Sequence, residues 1–223
     1  MSEKKTAVIT GANRGIGLEL ARQFADRGFA IIGVCRQTSD ELDAVADTVI
    51  EGIDVTIDDN VQSLVSQLKG TTIDLLINNA GLLQDEKLGS IDFDSIRTQM
   101  EINAYAPLRV AEALAPRIPE GGKIANITSR MGSIADNDSG GRYGYRASKA
   151  ALNAFGKSLA MDLKPRGIAV AQLHPGYVQT RMVNFGGLIS PEESAKGLAE
   201  RIDGLNLENT GSFWHSNGEE LPW

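Results

Sequence analysis

The sequence has little of what marks a secreted, membrane-spanning or nucleic-acid-binding protein. Cys35 is the single cysteine, which excludes an internal disulfide and fits a reducing compartment. No run approaches the ~20 consecutive apolar residues of a membrane span, and the first residues lead into a strand pattern without the apolar region of a signal peptide. A formal net charge of −7 and the lack of a basic stripe argue against a nucleic-acid partner. We therefore expect a soluble cytoplasmic protein with neither a membrane nor a nucleic-acid partner.

Short apolar runs alternate with helix patterns along all 223 residues, and no internal repeat is present. Such runs are typical of strands buried on both faces of a parallel sheet. The alternation predicts one α/β domain over residues 1–223, built on a doubly wound parallel sheet in three layers. The predicted strands are residues 6–10, 30–35, 48–53, 73–77, 122–127, 168–173 and, as a last candidate, 211–214.

A glycine-rich turn follows the first predicted strand. Gly11, Gly15 and Gly17 lie between that strand and a helix pattern that ends at Arg27-Gly28. Glycines let the backbone turn sharply and approach a ligand, and a helix N-terminus offers unpaired N–H groups to phosphate. Glycines also make ordinary strand-to-helix turns. The order of strand, glycine loop and helix nevertheless favours a dinucleotide phosphate site.

The second predicted strand ends at Arg36, where an NAD-binding unit would place an acidic residue for the ribose hydroxyls. Arg14 lies within the glycine loop. Because a guanidinium matches phosphate geometry, two arginines near the adenosine ribose suit the 2′-phosphate of NADP. Both could instead be solvated surface charges. Since the strand end and the glycine loop converge in space, we expect NADP(H) in preference to NAD(H).

Polar and small residues also follow the later strands at their carboxyl ends, where open α/β sheets bind ligands. Asp54 follows the third strand, Asn78-Asn79-Ala80-Gly81 the fourth and Thr128-Ser129 the fifth. A helix from about residue 92 to 104 carries Asn103, and Pro107 comes soon after. A buried asparagine and a proline in a helix break local rules, as is expected at a functional site or a kink.

Tyr145 and Lys149 lie four residues apart at the start of a predicted helix, so their side chains share one face. A free tyrosine has a pKa of about 10 and is a poor acid–base catalyst at neutral pH. A neighbouring ammonium favours the phenolate and lowers that pKa. Pairs with this spacing are common by chance on helix faces. The pair therefore gains meaning only from the rest of the chain.

The sixth strand leads into Pro175-Gly176, and residues 181–190 after it lack periodicity, which predicts a short mobile lid. Ser190-Pro191-Glu192-Glu193 is a capping box with proline at the first helical position, so a helix is predicted from there to about residue 203. His174 precedes the Pro-Gly turn and is interpreted as structural. Cys35 is interpreted as a small core residue rather than a nucleophile, and no metal site is predicted.

Taken in order, these motifs resemble the short-chain dehydrogenase/reductase family over nearly the whole chain. The finer pattern around Ser129 and Tyr145 is similar to the carbonyl-reductase, sniffer-like branch, which also includes the C-factor signalling proteins. The matching motifs are Thr10-Gly11-x-x-x-Gly15-x-Gly17, Asp54, Asn78-Asn79-Ala80-Gly81, Asn103, Ser129, Tyr145-x-x-x-Lys149 and Pro175-Gly176-x-Val178-x-Thr180.

The resemblance implies a Rossmann fold and a catalytic set of four residues. Tyr145 would exchange a proton with the carbonyl oxygen, and Ser129 would orient that oxygen. Lys149 would lower the tyrosine pKa and hold the nicotinamide ribose, and Asn103 would support a relay water. The implied cofactor contacts are Gly11, Asn13, Arg14, Gly15, Ile16, Gly17, Arg36, Asp54, Val55, Asn79, Ala80, Gly81, Tyr145, Lys149, Pro175, Gly176, Val178 and Thr180.

The function that the resemblance implies is NADP(H)-dependent reduction of an aldehyde or ketone to an alcohol. The alternative is a C-factor-like signalling protein that binds the dinucleotide with little turnover. A sugar-nucleotide epimerase with the same Tyr–Lys pair is disfavoured, because no substrate domain is expected after the sheet. The family also implies a homo-oligomer, a dimer or a tetramer. Two departures from the family pattern bear on substrate access. An acidic, glycine-rich insert at residues 135–142 either narrows that access or is simply a surface loop, and a short lid favours small carbonyl substrates.

Overall fold

The computed structural model describes residues 4–223 and contains one seven-stranded sheet in the order β3-β2-β1-β4-β5-β6-β7. Each neighbouring pair of strands is parallel. The predicted doubly wound sheet is therefore confirmed, and the last strand candidate is a full member of it. The strands are β1 (Thr6–Thr10), β2 (Ala30–Val34), β3 (Thr48–Ile50), β4 (Leu75–Asn78), β5 (Lys123–Ile127), β6 (Ala169–His174) and β7 (Ser212–His215).

Seven α-helices cover the two faces of the sheet. Successive residues of β1 show why both faces are covered, since Val8 is buried in one apolar cluster and Ile9 in the other. The first cluster lies under α1 and α7, and the second lies under α3, α5 and α6. The helices are α1 (Gly15–Asp26), α2 (Asp40–Asp43), α3 (Asp58–Gln67), α4 (Phe93–Met100), α5 (Ala106–Leu114), α6 (Tyr143–Leu163) and α7 (Pro191–Gly204).

Two strands are shorter at one end than the apolar runs suggest. β3 stops at Ile50 because the chain turns at Gly52, whose φ is +76°. β4 begins at Leu75 rather than Ile73, because the Ile73 amide donates to the Arg117 carbonyl oxygen outside the sheet (3.0 Å).

The helix predicted for residues 92–104 is longer and has a break in its hydrogen-bond pattern. α4 passes into a π-helical turn, Glu101–Tyr105, and then into α5. The amide of Ala106 donates to the carbonyl oxygen of Glu101, five residues earlier. Asn103 lies inside this turn, and Pro107 lies in the first turn of α5, where its missing N–H is tolerated. The broken local rules therefore mark a widened turn that aims Asn103 into the protein.

Parallel strands place all their carboxyl ends on one edge of the sheet. The loops that follow β1, β4, β5 and β6 meet there, and these loops carry the predicted site. Elsewhere the predicted start of α7 is confirmed, since the Ser190 side chain caps the helix by accepting from the Glu193 amide (3.1 Å). Among residues 4–223, no helix is long and apolar enough to cross a membrane.

Candidate active site

Tyr145 and Ser129 face each other across the carboxyl edge of the sheet. Tyr145 lies in the first turn of α6 and is 8% exposed, and Ser129 directly follows β5 and is 6% exposed. The Ser129 hydroxyl accepts from the Met131 amide (3.1 Å), which holds it at the start of a short helical turn. Burial raises the pKa of the Tyr145 phenol, and the nearby Ser129 hydroxyl and the charge of Arg142 offset only part of that rise. Two hydroxyl groups thus converge in a site largely shielded from water.

Lys149 lies one helical turn after Tyr145 on α6 and is almost fully buried. Its Nζ donates to the carbonyl oxygen of Ile127 (2.9 Å) and lies 5.8 Å from the centre of the Tyr145 ring. Burial lowers the pKa of the Lys149 ammonium to about 7. The sequence led us to expect that Lys149 lowers the phenol pKa, whereas in this structure burial controls both groups and favours the neutral form of each.

Asn103 uses its whole side chain to hold neighbouring segments. Its Oδ1 accepts from the amide of Leu82 (2.8 Å), and its Nδ2 donates to the Leu82 carbonyl oxygen (2.7 Å) and to the Ser148 hydroxyl (3.0 Å). It also borders Lys149, because a Cβ built at Gly81 would lie 3.2 Å from Asn103 Oδ1 and 3.8 Å from Lys149 Nζ. The predicted set of four is therefore gathered in one place. Leu82 and Ser148 are supporting residues that the motifs did not indicate.

The glycine loop forms a cradle that side chains would fill. Gly11 and Gly15 have φ values of +65° and +55°. A Cβ at Gly17 would lie 2.3 Å from the carbonyl oxygen of Gly11 and 2.5 Å from Asn79 Nδ2. Arg14 precedes α1 without a side-chain cap, so the first-turn amides of that helix, including Ile16, face the loop without a capping oxygen. These residues fit the pyrophosphate of a dinucleotide.

Asn79 and Ala80 support the cradle from β4. Asn79 Nδ2 donates to the carbonyl oxygens of Thr10 and Gly11, each at 3.1 Å. The Thr10 hydroxyl in turn accepts from the amides of Asn79 (3.0 Å) and Ala80 (3.2 Å). The side-chain nitrogen of Asn79 is therefore used to fix the glycine loop.

The predicted adenosine side joins the loops after β1, β2 and β3. Asn13 Nδ2 donates to the Gln37 carbonyl oxygen (2.9 Å), so the loops that carry Arg14 and Arg36 lie side by side. Arg36 is exposed and lies 3.9 Å from the Asp54 carboxylate. Burial raises the pKa of the Asp54 carboxyl, but hydrogen bonds from Thr56 and the charge of Arg36 outweigh it, so the pKa is lowered overall. Val55 beside it is buried.

The loop after β6 reaches back to the glycine loop. A Cβ at Gly15 would lie 3.5 Å from Thr180 Cγ2, which brings the two predicted cofactor segments into contact. Ser194 donates to the Pro175 carbonyl oxygen (2.7 Å) and fixes the turn at Gly176. Val178 pairs with Ile189, so the predicted lid folds back on the segment before it.

His174 and the insert are both tied to the C-terminal segment. His174 packs edge to face on His215 at 4.7 Å, and burial lowers its pKa to about 3, which supports the structural interpretation. Arg130, next to Ser129, pairs with Asp136 of the insert (3.2 Å) and with Glu219 (2.7 Å). No sequence signal indicated this link, because Glu219 lies far along the chain from Arg130 and Asp136.

Comparison with known proteins assigns the family. A short chain dehydrogenase model matches residues 5–186. The chain belongs to the short-chain dehydrogenase/reductase family. It is therefore an oxidoreductase of this family, and the resemblance drawn from the motifs is confirmed.

Two curated relatives are similar to the chain. It is 42% identical to 1-hydroxy-2-glutathionyl-2-methyl-3-butene dehydrogenase of Rhodococcus sp. over 98% of this chain and 99% of the relative. It is also 44% identical to the C-signal protein of Myxococcus xanthus over 68% of this chain and 93% of the relative.

Solved structures of carbonyl reductases share the fold. The carbonyl reductase Sniffer of D. melanogaster superposes with a TM-score of 0.92 at 29% identity, covering 99% of this chain and all of the other. A carbonyl reductase of Pseudomonas aeruginosa in complex with NADP gives a TM-score of 0.87 at 34% identity, again with 99% and 100% coverage. These likenesses place this family member beside the carbonyl-reductase and C-factor branch.

Proposed function

We propose that this protein is an NADP(H)-dependent carbonyl reductase in which Tyr145 gives a proton to the carbonyl oxygen of a small aldehyde or ketone. The observation that carries the proposal is the convergence of the Tyr145 and Ser129 hydroxyls beside the buried Lys149. The cofactor would supply the hydride, and the protein would supply position and a proton. Ser129 orients the substrate oxygen toward the phenol.

The choice of NADP(H) rests on charge at the adenosine side. Arg36 is exposed at the end of β2, and Arg14 lies in the adjoining loop. Within residues 4–223, Asp54 is the one carboxylate paired with Arg36, and at 3.9 Å it neutralises the arginine charge only weakly. A guanidinium in that position suits a 2′-phosphate. The similar Pseudomonas aeruginosa carbonyl reductase was solved in complex with NADP, which supports the same choice.

The test is a turnover screen of the purified protein with matched tyrosine variants. NADPH consumption is followed with aldehydes, ketones, quinones and diketones, and NADP⁺ reduction is followed with the corresponding alcohols. We expect turnover with at least one compound. Tyr145→Phe should bind NADPH as the unchanged protein does, yet lose roughly 10²- to 10⁴-fold in kcat. Tyr143→Phe, an exposed neighbour, should keep its activity, and retained turnover in Tyr145→Phe would overturn the assignment.

A second candidate function is a signalling protein that binds the dinucleotide without appreciable turnover. The 44% identity to the C-signal protein favours it. The buried tyrosine–lysine pair argues against it, because a binding module has no use for an acid next to a desolvated ammonium. Binding of NADPH without turnover across the whole panel, in both directions, would favour this second function.

A further inference from the structure

Glu86 is a buried carboxylate, 2% exposed, that lies outside every motif of the cofactor and substrate sites. It follows β4 in the segment that leads to α4. A glutamate is almost never fully buried unless its oxygens are paired. Its partners therefore show what it is used for.

All three hydrogen bonds of the Glu86 carboxylate are made to two helices. Oε1 accepts from Ser95 Oγ (2.6 Å) and from Gln99 Nε2 (2.5 Å), which lie one turn apart on α4. Oε2 accepts from the amide of Gly144, in the first turn of α6 (3.0 Å). The Glu86 main-chain oxygen adds a bond from the Arg142 amide (3.0 Å). Glu86 thus joins α4 to the beginning of α6.

The start of α6 has no cap of its own. Arg142 occupies the cap position in the left-handed region (φ +49°), and its side chain makes no capping bond. First-turn amides need an acceptor, and a negative charge at a helix N-terminus is stabilising. Glu86 supplies both from a distant segment of the chain.

The contact between Glu86 and α6 requires a glycine at position 144. A Cβ at that position would lie 2.6 Å from Gln99 Nε2, 3.0 Å from Glu86 Oε1 and 3.0 Å from Ile96 Cα. Only glycine allows α6 to approach the carboxylate this closely. Tyr145 is the next residue, so the bond to Gly144 fixes the backbone from which the phenol projects.

We propose that Glu86 is a positioning residue for Tyr145. It caps α6 from outside and holds the phenol in register with Ser129. The kinetic consequence rests on the proposed function, whereas the structural consequence does not.

Glu86→Gln is the sharpest variant because it keeps the size of the side chain. Three hydrogen-bond donors point at the Glu86 carboxylate. The side-chain amide of a glutamine at this position would turn its NH₂ group, itself a donor, toward at least one of them. Gln99 cannot turn to accept it without losing another bond, because Gln99 Oε1 already accepts from the Gln84 amide (2.9 Å). Ser95→Ala, which removes one donor to Oε1, is the milder variant if Glu86→Gln folds poorly.

Two measurements separate positioning from general stability. The first is kcat against the KM for NADPH, since a displaced catalytic group costs roughly 10- to 100-fold in kcat. The second is hydrogen exchange at residues 142–148, which needs no turnover. Asp85→Asn is the neighbouring control, since among the described residues Asp85 pairs only with the exposed Arg142 side chain (2.6 Å). Val61→Ala, on the buried face of α3, is the control for an equal loss of Tm.

We expect Glu86→Gln to lower kcat and to speed exchange of the Gly144 amide while NADPH binding is unchanged. Ser95→Ala should do so more weakly, and Asp85→Asn and Val61→Ala should do neither. If Glu86→Gln matches Val61→Ala in kcat and exchange at equal Tm, the inference is wrong. If the unchanged protein turns over no carbonyl, it is the proposed function that fails, and hydrogen exchange alone tests the positioning role. Unaltered protection of the Gly144 amide in Glu86→Gln would then overturn that role.

Discussion

The Lys149 nitrogen lies 5.8 Å from the centre of the Tyr145 ring, one helical turn along α6. Its hydrogen bond goes to the Ile127 carbonyl oxygen, so β5 and α6 are joined at the point where the two side chains meet. Burial raises the pKa of the phenol and lowers that of the ammonium to about 7. The buried lysine therefore lowers the free energy of unfolding, because its charged form is disfavoured in the folded protein.

Replacing Lys149 with methionine should stabilise the protein relative to the unchanged chain, and this gain should be larger at low pH than at high pH. The ammonium has a pKa of about 7 when folded and 10.5 as the ordinary value. Below pH 7 both states hold the proton and the folded state carries the full cost, at most about 5 kcal/mol. Between those values the unfolded state binds more protons, so the stability of the unchanged protein rises with pH.

Urea unfolding at about pH 6 and about pH 9.5 measures this difference. The stability gained by Lys149→Met should be largest at the lower pH and should shrink at the higher one. Lys196→Met, an exposed lysine on α7, controls for the loss of a charge and should show no such trend. An equal gain at both pH values would show that the buried ammonium is not the source.

Arg36→Ala should weaken NADPH far more than NADH. A charge-assisted contact to a phosphate contributes about 1.5–3 kcal/mol, which corresponds to roughly 10- to 100-fold in affinity. Because the side chain is 74% exposed, we expect the lower end. Arg97→Ala is a matched control, since Arg97 is also 74% exposed and paired with an aspartate. Fluorescence titration with both cofactors decides it: equal losses would show that Arg36 does not read the 2′-phosphate.

The strand and loop order was predictable because it depends on local periodicity and turn chemistry. Three glycines after β1 predicted a cradle, and Ser190 to Glu193 predicted the start of α7; the structure contains both features. Each of these signals lies within a few neighbouring residues. The family resemblance then followed from the order in which these motifs occur along the chain.

The contacts that hold the catalytic side chains could not be read from the sequence. Asn103 bonds Ser148, 45 residues away, and Glu86 bonds Gly144, 58 residues away. The burial of Tyr145 could not be read from the sequence either, because it too depends on distant segments. The pKa of Tyr145 depends on what the fold packs around the phenol and not on its spacing from Lys149. The sequence indicated the π-helical turn at Glu101–Tyr105 only indirectly, through an asparagine (Asn103) and a proline (Pro107) in a predicted helix.

Gly17→Ala should abolish cofactor binding although it places a better helix former in α1. Helix propensity alone would stabilise the variant by about 1 kcal/mol. The added Cβ would lie 2.3 Å from the Gly11 carbonyl oxygen, however, so the cradle must open. We expect a lower Tm and no measurable NADPH binding. Gly204→Ala, with no atom within 4 Å of its added Cβ, controls for propensity and should bind NADPH normally. Unimpaired binding by Gly17→Ala would refute the cradle.

Asn103→Ala should lower both stability and turnover. Its side chain satisfies the amide and the carbonyl oxygen of Leu82, and each buried polar group left unpaired costs about 1–3 kcal/mol. Loss of the bond to Ser148 also frees α6 near Lys149. Asn209→Ala is a close match, because Asn209 likewise holds one amide (Asn206, 2.8 Å) and one carbonyl oxygen (Gly204, 3.0 Å), but in an exposed loop. Urea unfolding and kcat are measured for both variants. Of these two asparagines, Asn103 joins the segment after β4 to the helix that carries Tyr145, and Asn209 does not. Similar effects of the two substitutions would therefore show that the position of Asn103 in the π-helical turn has no special role.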